Sequence, residues 1–423
     1  MIETQQCQAY IDSLKKNECP DSTYGFFNPP LVMDRALGSQ IKTVSGHILT
    51  DLCAGFGVLA LGHNHPRILA RLDRKGSQDW PAVMHGMGDV YPSRSKVEFF
   101  EYVKTLLPNT LARGALALSG SQAVEIAIKT AILHTGNAGF LTVDGGYHGL
   151  DLGTLSMCTQ SPFREPFKRY LSSAGVSVPT ESPSDVIDAA IKHLIDQGFG
   201  FAGVIVEPIQ GRAGVKPLDR PWLQKLFERA RAHGALVILD EVFCGLGRAG
   251  LMTFATEFEV DLTCLGKALG GGLPLSLCIG SESVMRSWPE SQGEALHTGT
   301  FFGHPLACEL AVETLKVIDE SDLCHRAQNL GHRALEYLTE RLSPRGIVVR
   351  GQGLMIGIDY KEHLGGLKVM NQLRKEGVLA LVSGADGACL SVTPALNIPE
   401  DLLWPALEKV VDLSLKASVL ETC

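Results

Sequence analysis

The chain has 423 residues, of which 45% are hydrophobic, and a formal net charge of −8. Domains typically run about 100–200 residues, so two or three structural units are expected, and the acidic balance without any basic tract argues against a nucleic-acid binder, which needs a positive face for phosphates. The eleven cysteines include no C-x-x-C pair, and an odd, irregularly spaced set fits reduced thiols in a cytoplasmic protein better than a disulfide framework or a zinc site, so no metal is expected.

The first twenty residues lack the apolar stretch of a secretory signal, and no run of eighteen apolar residues suggests a membrane span. Two strand-like pieces, Gln40–Val44 and His47–Leu52, fall within the first sixty residues, which are expected to pack with the C-terminal part. From Gly120 to Ala131 a loop enters a helix, with Ala123, Ile126, Ala127 and Thr130 at helical spacing. Short apolar strands are predicted at Phe140–Val143, Gly203–Val206 and Ala235–Leu239, with an amphipathic helix over Trp222–His233. Continuous apolar strands separated by helices predict a parallel sheet covered on both faces. Helices follow at Pro305–Ile318 and Leu323–Leu342, then short strands near Ile347–Arg350 and Leu354–Tyr360. The last predicted helices lie near Leu367–Glu376 and Leu402–Ala417. The fold expected is therefore α/β, with a large unit of mostly parallel sheet over 61–305. Residues 306–423 form a smaller α/β unit, joined by the segment 1–60.

Four features lie where predicted strands end, the place at which open parallel sheets put ligands. Leu118-Ser119-Gly120-Ser121-Gln122 opens a helix, whose free N–H groups and dipole suit an anion; it also reads as an ordinary capping turn. Gly145-Gly146-Tyr147-His148-Gly149 flanks a ring with glycines, so the ring can lie on a planar ligand or simply pack in a turn. Val237-Ile238-Leu239-Asp240-Glu241 brings a carboxylate to the end of a buried strand, which is costly unless paired. Its partner is either a ligand nitrogen or a structural cation. Leu265-Gly266-Lys267-Ala268-Leu269-Gly270-Gly271-Gly272 places a lysine in a turn of small residues. There partial desolvation lowers the amine pKa and favours a nucleophile, although a lone lysine is more often a snorkelling surface residue.

In combination the motifs SGSQAVE, YHG, VEPIQG, VILDEVFCGLGRAG, GKALGGGLPL, HTGTFFGHPLAC and RGQGLMIGI resemble class III (subgroup II) aminotransferases. These belong to fold type I of the pyridoxal 5′-phosphate (PLP) enzymes. The likeness runs from Gly46 to about Ile398. It implies that Gly120 and Ser121 bind the cofactor phosphate, and that Tyr147 stacks on one face of the ring while Val242 packs on the other. His148 belongs to the same motif and the same cofactor-binding set. Asp240 pairs with the ring nitrogen, Glu207 hydrogen-bonds around the site, and Lys267 holds the cofactor as a Schiff base and shuttles the proton. Thr300 reaches the phosphate of a neighbouring subunit's cofactor, so a homodimer with shared sites is implied. The partners implied are an amino donor and a keto-acid acceptor.

Departures from the pattern concern the substrate. Phe243 and Cys244 stand where many relatives have Gln-Thr, and with Gly303-His304-Pro305 they look closer to the ω-amine:pyruvate branch. Relatives clamp a substrate carboxylate with an arginine near a Pro-Pro-Leu segment; the matching stretch here, Leu390 to Leu396, has none, and no arginine occurs between Glu376 and Glu400. Arg164, Arg212 or Arg350 are the candidates to replace it, with Arg164 preferred. Asp151 or Asp386 could instead recognise a second amino group. The expected reaction is amino transfer from an amine or ω-amino compound to a keto acid, pyruvate favoured. An aminomutase, racemase or decarboxylase would share these motifs. Gly245-Leu246-Gly247-Arg248-Ala249-Gly250 is a literal G-x-G-x-x-G, which leaves an NAD-dependent oxidoreductase as a distant alternative.

Overall fold

The structure, a computed structural model, describes residues 2–20, 22, 31–73, 83–84, 86, 88 and 90–419. Its largest sheet has seven strands. Their spatial order is Arg113–Ala117, Ser276–Gly280, Leu262–Leu265, Leu236–Asp240, Gly203–Val206, Phe140–Val143 and Gly175–Val178. Phe140–Val143, Gly203–Val206, Leu236–Asp240 and Leu262–Leu265 are buried at every position. That is the signature of a sheet covered on both faces. All neighbours pair in parallel except Ser276–Gly280, which runs antiparallel to both its partners. The reversal follows from chain length. A parallel return needs a crossover of a dozen or more residues, and the segment 266–275 is too short to supply one. This short return carries Lys267.

Helix Gly120–Thr135 starts on Ser119, whose hydroxyl accepts from the Gln122 N–H at 3.2 Å, and ends on Gly136 with φ 69°. Glycine suits that left-handed position because it lacks a Cβ. The helix buries Ala123, Ala127 and Ala131, small side chains at four-residue spacing that let it lie close to the sheet. Helix Arg220–Ala232 buries Trp222, Leu223, Leu226 and Phe227, and is capped by the Asp219 carboxylate on the Trp222 N–H at 2.8 Å. Long helices over Pro305–Glu320 and Leu323–Leu342 continue the core.

Beyond them lies a four-stranded sheet of antiparallel pairs, in the order Val348–Gln352, Met355–Asp359, Cys389–Val392 and Leu381–Ser383. A further sheet joins both ends of the chain. Strands Met33–Leu37, Gln40–Thr43 and Ile48–Asp51 form a meander, and Val378–Leu379 pairs in parallel with Thr50 and Asp51. The Thr393 N–H also donates to the Leu52 carbonyl at 2.7 Å. The cysteines among the described residues are free thiols. None of the helices among those residues is long and apolar enough to cross a membrane.

Candidate active site

Because six strands of the large sheet run in one direction, five side by side and one across the single reversed strand, their C-terminal ends share one edge. The loops leaving that edge hold Gly120 and Ser121, Tyr147 and His148, Glu207, Asp240 and Val242, and Lys267. All of these line one cavity of about 480 Å³, a size that suits a small ligand. Thr300 does not line it; that side chain lies on an exposed segment beside Gly86. Thus the chain brings together every site residue expected from the sequence except the one assigned to a neighbouring subunit.

At the base of the cavity Asp240 Oδ2 faces His148 Nδ1 at 2.8 Å, and Oδ1 accepts from the Val242 N–H at 3.1 Å. Both side chains of the His–Asp pair are buried. Burial by itself depresses the His148 pKa, but the hydrogen bond and charge of Asp240 outweigh it and hold the value above the usual one. Glu207 sits one strand away, accepting from the Tyr147 N–H at 2.8 Å and the Gly211 N–H at 3.1 Å. Its burial, reinforced by the charge of Asp240, pushes the carboxyl pKa up. Two carboxylates and an imidazole therefore share one buried pocket.

Lys267 opens the turn Lys267–Gly270 with φ 43°, a left-handed conformation that a lysine seldom adopts. Backbone strain of this sort persists where surrounding structure enforces it, commonly at functional sites. Its amine stands 4.4 Å from the centroid of the Phe243 ring. Desolvation in the cavity lowers the amine pKa, and the charges of Asp240 and Glu207 oppose that shift. Phe243 itself is wedged between two glycines. A Cβ on Gly211 would come within 2.3 Å of the ring and one on Gly57 within 2.9 Å. The sequence placed Phe243 near the site; its contact with the lysine and the two glycines that make room for it come from the fold.

The candidate arginines separate cleanly. Arg164 donates to the Cys158 carbonyl at 2.5 Å, and Arg350 pairs with Asp359 at 2.8 Å while donating to the Gly214 carbonyl at 2.9 Å. Neither lines the cavity, whereas Arg212 does. The side chains from the arginine-free stretch that do line it are Ser391 and Thr393, with Leu381, Val382 and Ser383 beside them. Asp151 lines the cavity; Asp386 instead faces His363 at 3.6 Å on the surface. Cys244 is buried and lies outside the lining.

The G-x-G-x-x-G run corrects one expectation. After Asp240 the chain makes irregular turns with no helix to receive a pyrophosphate. Arg248 in that run is buried, and its guanidinium donates to the carbonyls of Leu354 and Pro394. The run is therefore a structural tie to the C-terminal sheet, and the dinucleotide reading falls.

Comparison with known proteins agrees with this geometry. The family model "Aminotransferase class-III" matches residues 24–413. The acetylornithine aminotransferase of Methanosarcina acetivorans is 31% identical over 417 residues, covering 98% of each chain. The [LysW]-aminoadipate semialdehyde transaminase of Deinococcus radiodurans is 33% identical over 334 residues, 78% of this chain and 74% of that protein. Among solved structures, the ornithine aminotransferase of Toxoplasma gondii superposes with a TM-score of 0.85 at 23% identity, over 98% of this chain and 96% of that one. A transaminase of the marine bacterium Virgibacillus gives 0.86 at 19%, over 97% and 99%. These two show the fold. The chain belongs to the class-III aminotransferases, enzymes whose cofactor is pyridoxal 5′-phosphate.

Proposed function

We propose that this aminotransferase takes the amino group from a terminal carbon of an amine or ω-amino compound and passes it to a keto acid, with pyruvate the favoured acceptor. The carrying observation is the placement of the Lys267 amine in one cavity with the Asp240 carboxylate, Tyr147 and the N-terminus of helix Gly120–Thr135. For the donor, support comes from the names of the relatives. Aminoadipate semialdehyde, in the name of one of them, carries its aldehyde on a terminal carbon. The arginine-free lining at Ser391 and Thr393 supports a donor that is not clamped by an α-carboxylate there.

The residues fit the cofactor. The first N–H groups of a helix lack intrahelical partners and suit a phosphate. Gly120 packs directly against Val242, since a Cβ there would meet Val242 Cγ1 at 2.5 Å. Tyr147 and Val242 supply flat and apolar walls, and Asp240 supplies an anion for a protonated ring nitrogen. When bound, pyridoxal 5′-phosphate supplies a carbonyl carbon that accepts the amino group and a ring that withdraws electrons. The remaining work falls to the chain. Lys267 Nζ, kept below ordinary lysine basicity, offers a neutral amine as nucleophile and as proton carrier. Asp240, fixed by His148 and the Val242 N–H, holds the charge at the base of the site. Glu207 fixes Tyr147 through its main chain. Phe243 lies against the lysine amine, its ring centroid 4.4 Å away.

The same reading places the catalytic unit at 61–305 and a smaller unit at 306–423 together with 1–60, supported by the pairing of Thr50–Asp51 with Val378–Leu379. It also includes a cytoplasmic homodimer in which Thr300 serves the partner's site. In support, Gly86 and Gly88 lie against Thr300–Gly303, and Met84, Val90, Tyr91 and Phe301 are exposed large apolar side chains on these segments. Apolar surface of this kind marks interfaces.

The test is a panel of terminal amines, ω-amino acids and α-amino acids, each followed by the change in cofactor absorbance, with pyruvate and 2-oxoglutarate as acceptors. Terminal amino donors are expected to react fastest. If glutamate reacts fastest and saturates tightly, the donor assignment is wrong.

A further inference from the structure

We propose that Arg212 is the anchor for the carboxylate of the keto-acid acceptor. The inference rests on the amino-transfer reading above and names the residue that gives it acceptor specificity.

The observations are geometric. Arg212 lines the same cavity as Lys267, and its side chain is exposed to that space. The guanidinium carbon lies 5.6 Å from the Tyr147 ring centroid and 5.2 Å from that of Phe163. The two rings meet edge to face, 5.9 Å apart. Stacking on aromatic faces leaves the N–H fork of an arginine available for a planar anion. Among the described residues no carboxylate pairs with it. Glu207 and Asp240, the acids deepest in the cavity, already accept main-chain and imidazole donors on both oxygens. Asp151, also in the lining, makes no ion pair with it.

The main chain of Arg212 is held by a hydrogen bond, while its side chain rests only against the two rings. Its carbonyl accepts from the Gly384 N–H at 2.9 Å, which ties this loop to the strand Leu381–Ser383 across the cavity mouth. Gly211, just before it, packs under the Phe243 ring so closely that a Cβ would sit 2.3 Å from it. The base of the side chain is thus fixed relative to Lys267, and the fork is held only by its ring contacts.

A 2-keto acid such as pyruvate carries a carboxylate next to the reacting carbon. Burying that charge without a partner is expensive, and a guanidinium pairs with it through two parallel hydrogen bonds. A carboxylate-free amine needs no such partner. One arginine that binds an acceptor and stacks on aromatic rings when the donor lacks a carboxylate serves both halves of the reaction.

The test uses the cofactor-loaded enzyme and two variants, R212Q and R212K. Binding of oxamate, an unreactive analogue of pyruvate, is measured by calorimetry. The reaction of the amine-loaded enzyme with pyruvate is compared with the reaction of the resting enzyme with butane-1,4-diamine. For R212Q we expect oxamate binding weaker by about 30-fold or more, the scale of lost hydrogen bonds to a charged group. The KM for pyruvate should rise by a similar factor, and the loss with pyruvate should exceed the loss with the diamine by at least about 10-fold. R212K should recover part of the binding through its charge, without the fork. Unchanged oxamate affinity in R212Q, or equal losses with both substrates, overturns the anchor. If the wild type transfers no amino group from any terminal amine to a keto acid, yet oxamate binding still depends on Arg212, the donor reading fails and the anchor stands.

Discussion

Lys267 is a base whose strength is set by opposing fields, and that makes it testable. Desolvation pulls its pKa below the ordinary lysine value, while the negative charges of Asp240 and Glu207 push back. Removing the Asp240 charge takes away support for the protonated amine, so the pKa should fall further in Asp240→Asn. The rate at which cofactor-free protein takes up pyridoxal 5′-phosphate reports the neutral amine directly. Its pH profile should rise with a midpoint below that of free lysine, and the midpoint should move down in Asp240→Asn. An unmoved profile would show that Asp240 does not act on Lys267. Lys267→Ala should abolish amino transfer and leave the cofactor removable by dialysis. Borohydride treatment followed by peptide mapping should mark Lys267 in the wild type, and a mark on another lysine would refute the assignment. Turnover in Asp240→Asn should drop by a factor of about 10² or more, the usual scale for a buried electrostatic group.

The strand Leu236–Asp240 does two jobs at one end, because consecutive residues of a strand point to opposite sides. Asp240 reaches the cavity. Glu241 turns away from it and binds the next turn, accepting from the Thr253 hydroxyl at 2.6 Å and the Phe254 N–H at 2.7 Å. Burial pushes the Glu241 pKa up to about 7. The sign of its effect on stability follows from proton counting. Between roughly pH 4.5 and 7 the folded chain keeps the proton and the unfolded chain releases it, so this group's contribution falls as pH rises through that window. The full span amounts to about 3 kcal/mol. Glu241→Gln keeps an acceptor for the Phe254 N–H and a polar group for Thr253, and has no charge to bury. Urea unfolding should therefore show its stability relative to wild type improving from pH 5 to pH 8. A difference that does not change with pH would mean that Glu241 is ionised in the fold at a normal pKa. The elements themselves were legible from pattern. Phe140–Val143, Gly203–Val206 and Leu323–Leu342 fall where continuous apolar runs and helical spacing put them. Hidden from the sequence were the reversed strand Ser276–Gly280, which only chain length between neighbours explains, and the His148–Asp240 bond, which joins residues 92 apart. The arginines show the same limit. Composition could name Arg164, Arg212 and Arg350, but only folding decides that two are spent on a carbonyl and on Asp359 while Arg212 enters the cavity.

At the scale of the whole molecule, the cavity is walled by elements from distant parts of the chain. Phe56 comes from the N-terminal segment, Tyr147 and Lys267 from the large sheet, and Ser391 and Thr393 from the C-terminal one. The proposed dimer would add a wall from a second copy. Thr300 is exposed and outside this cavity, next to Phe301 and beside Gly86, on segments with several exposed apolar side chains. A two-fold dimer would bury the same patch of both chains and exchange Thr300 between sites. Complementation tests that exchange. A Lys267→Ala subunit keeps its Thr300, and a Thr300→Ala subunit keeps its Lys267. In the mixed dimer one site then lacks both residues and the other has both. Each parent dimer should be inactive or weakened at both sites. Random reassociation makes about half of the dimers mixed, so activity should return toward about a quarter of wild type. That recovery should disappear when the two variants are assayed in the same tube without subunit exchange. If mixing restores nothing although mass spectrometry shows mixed dimers, Thr300 acts within its own chain or not at all. A fully active monomer in sedimentation would remove the shared site altogether.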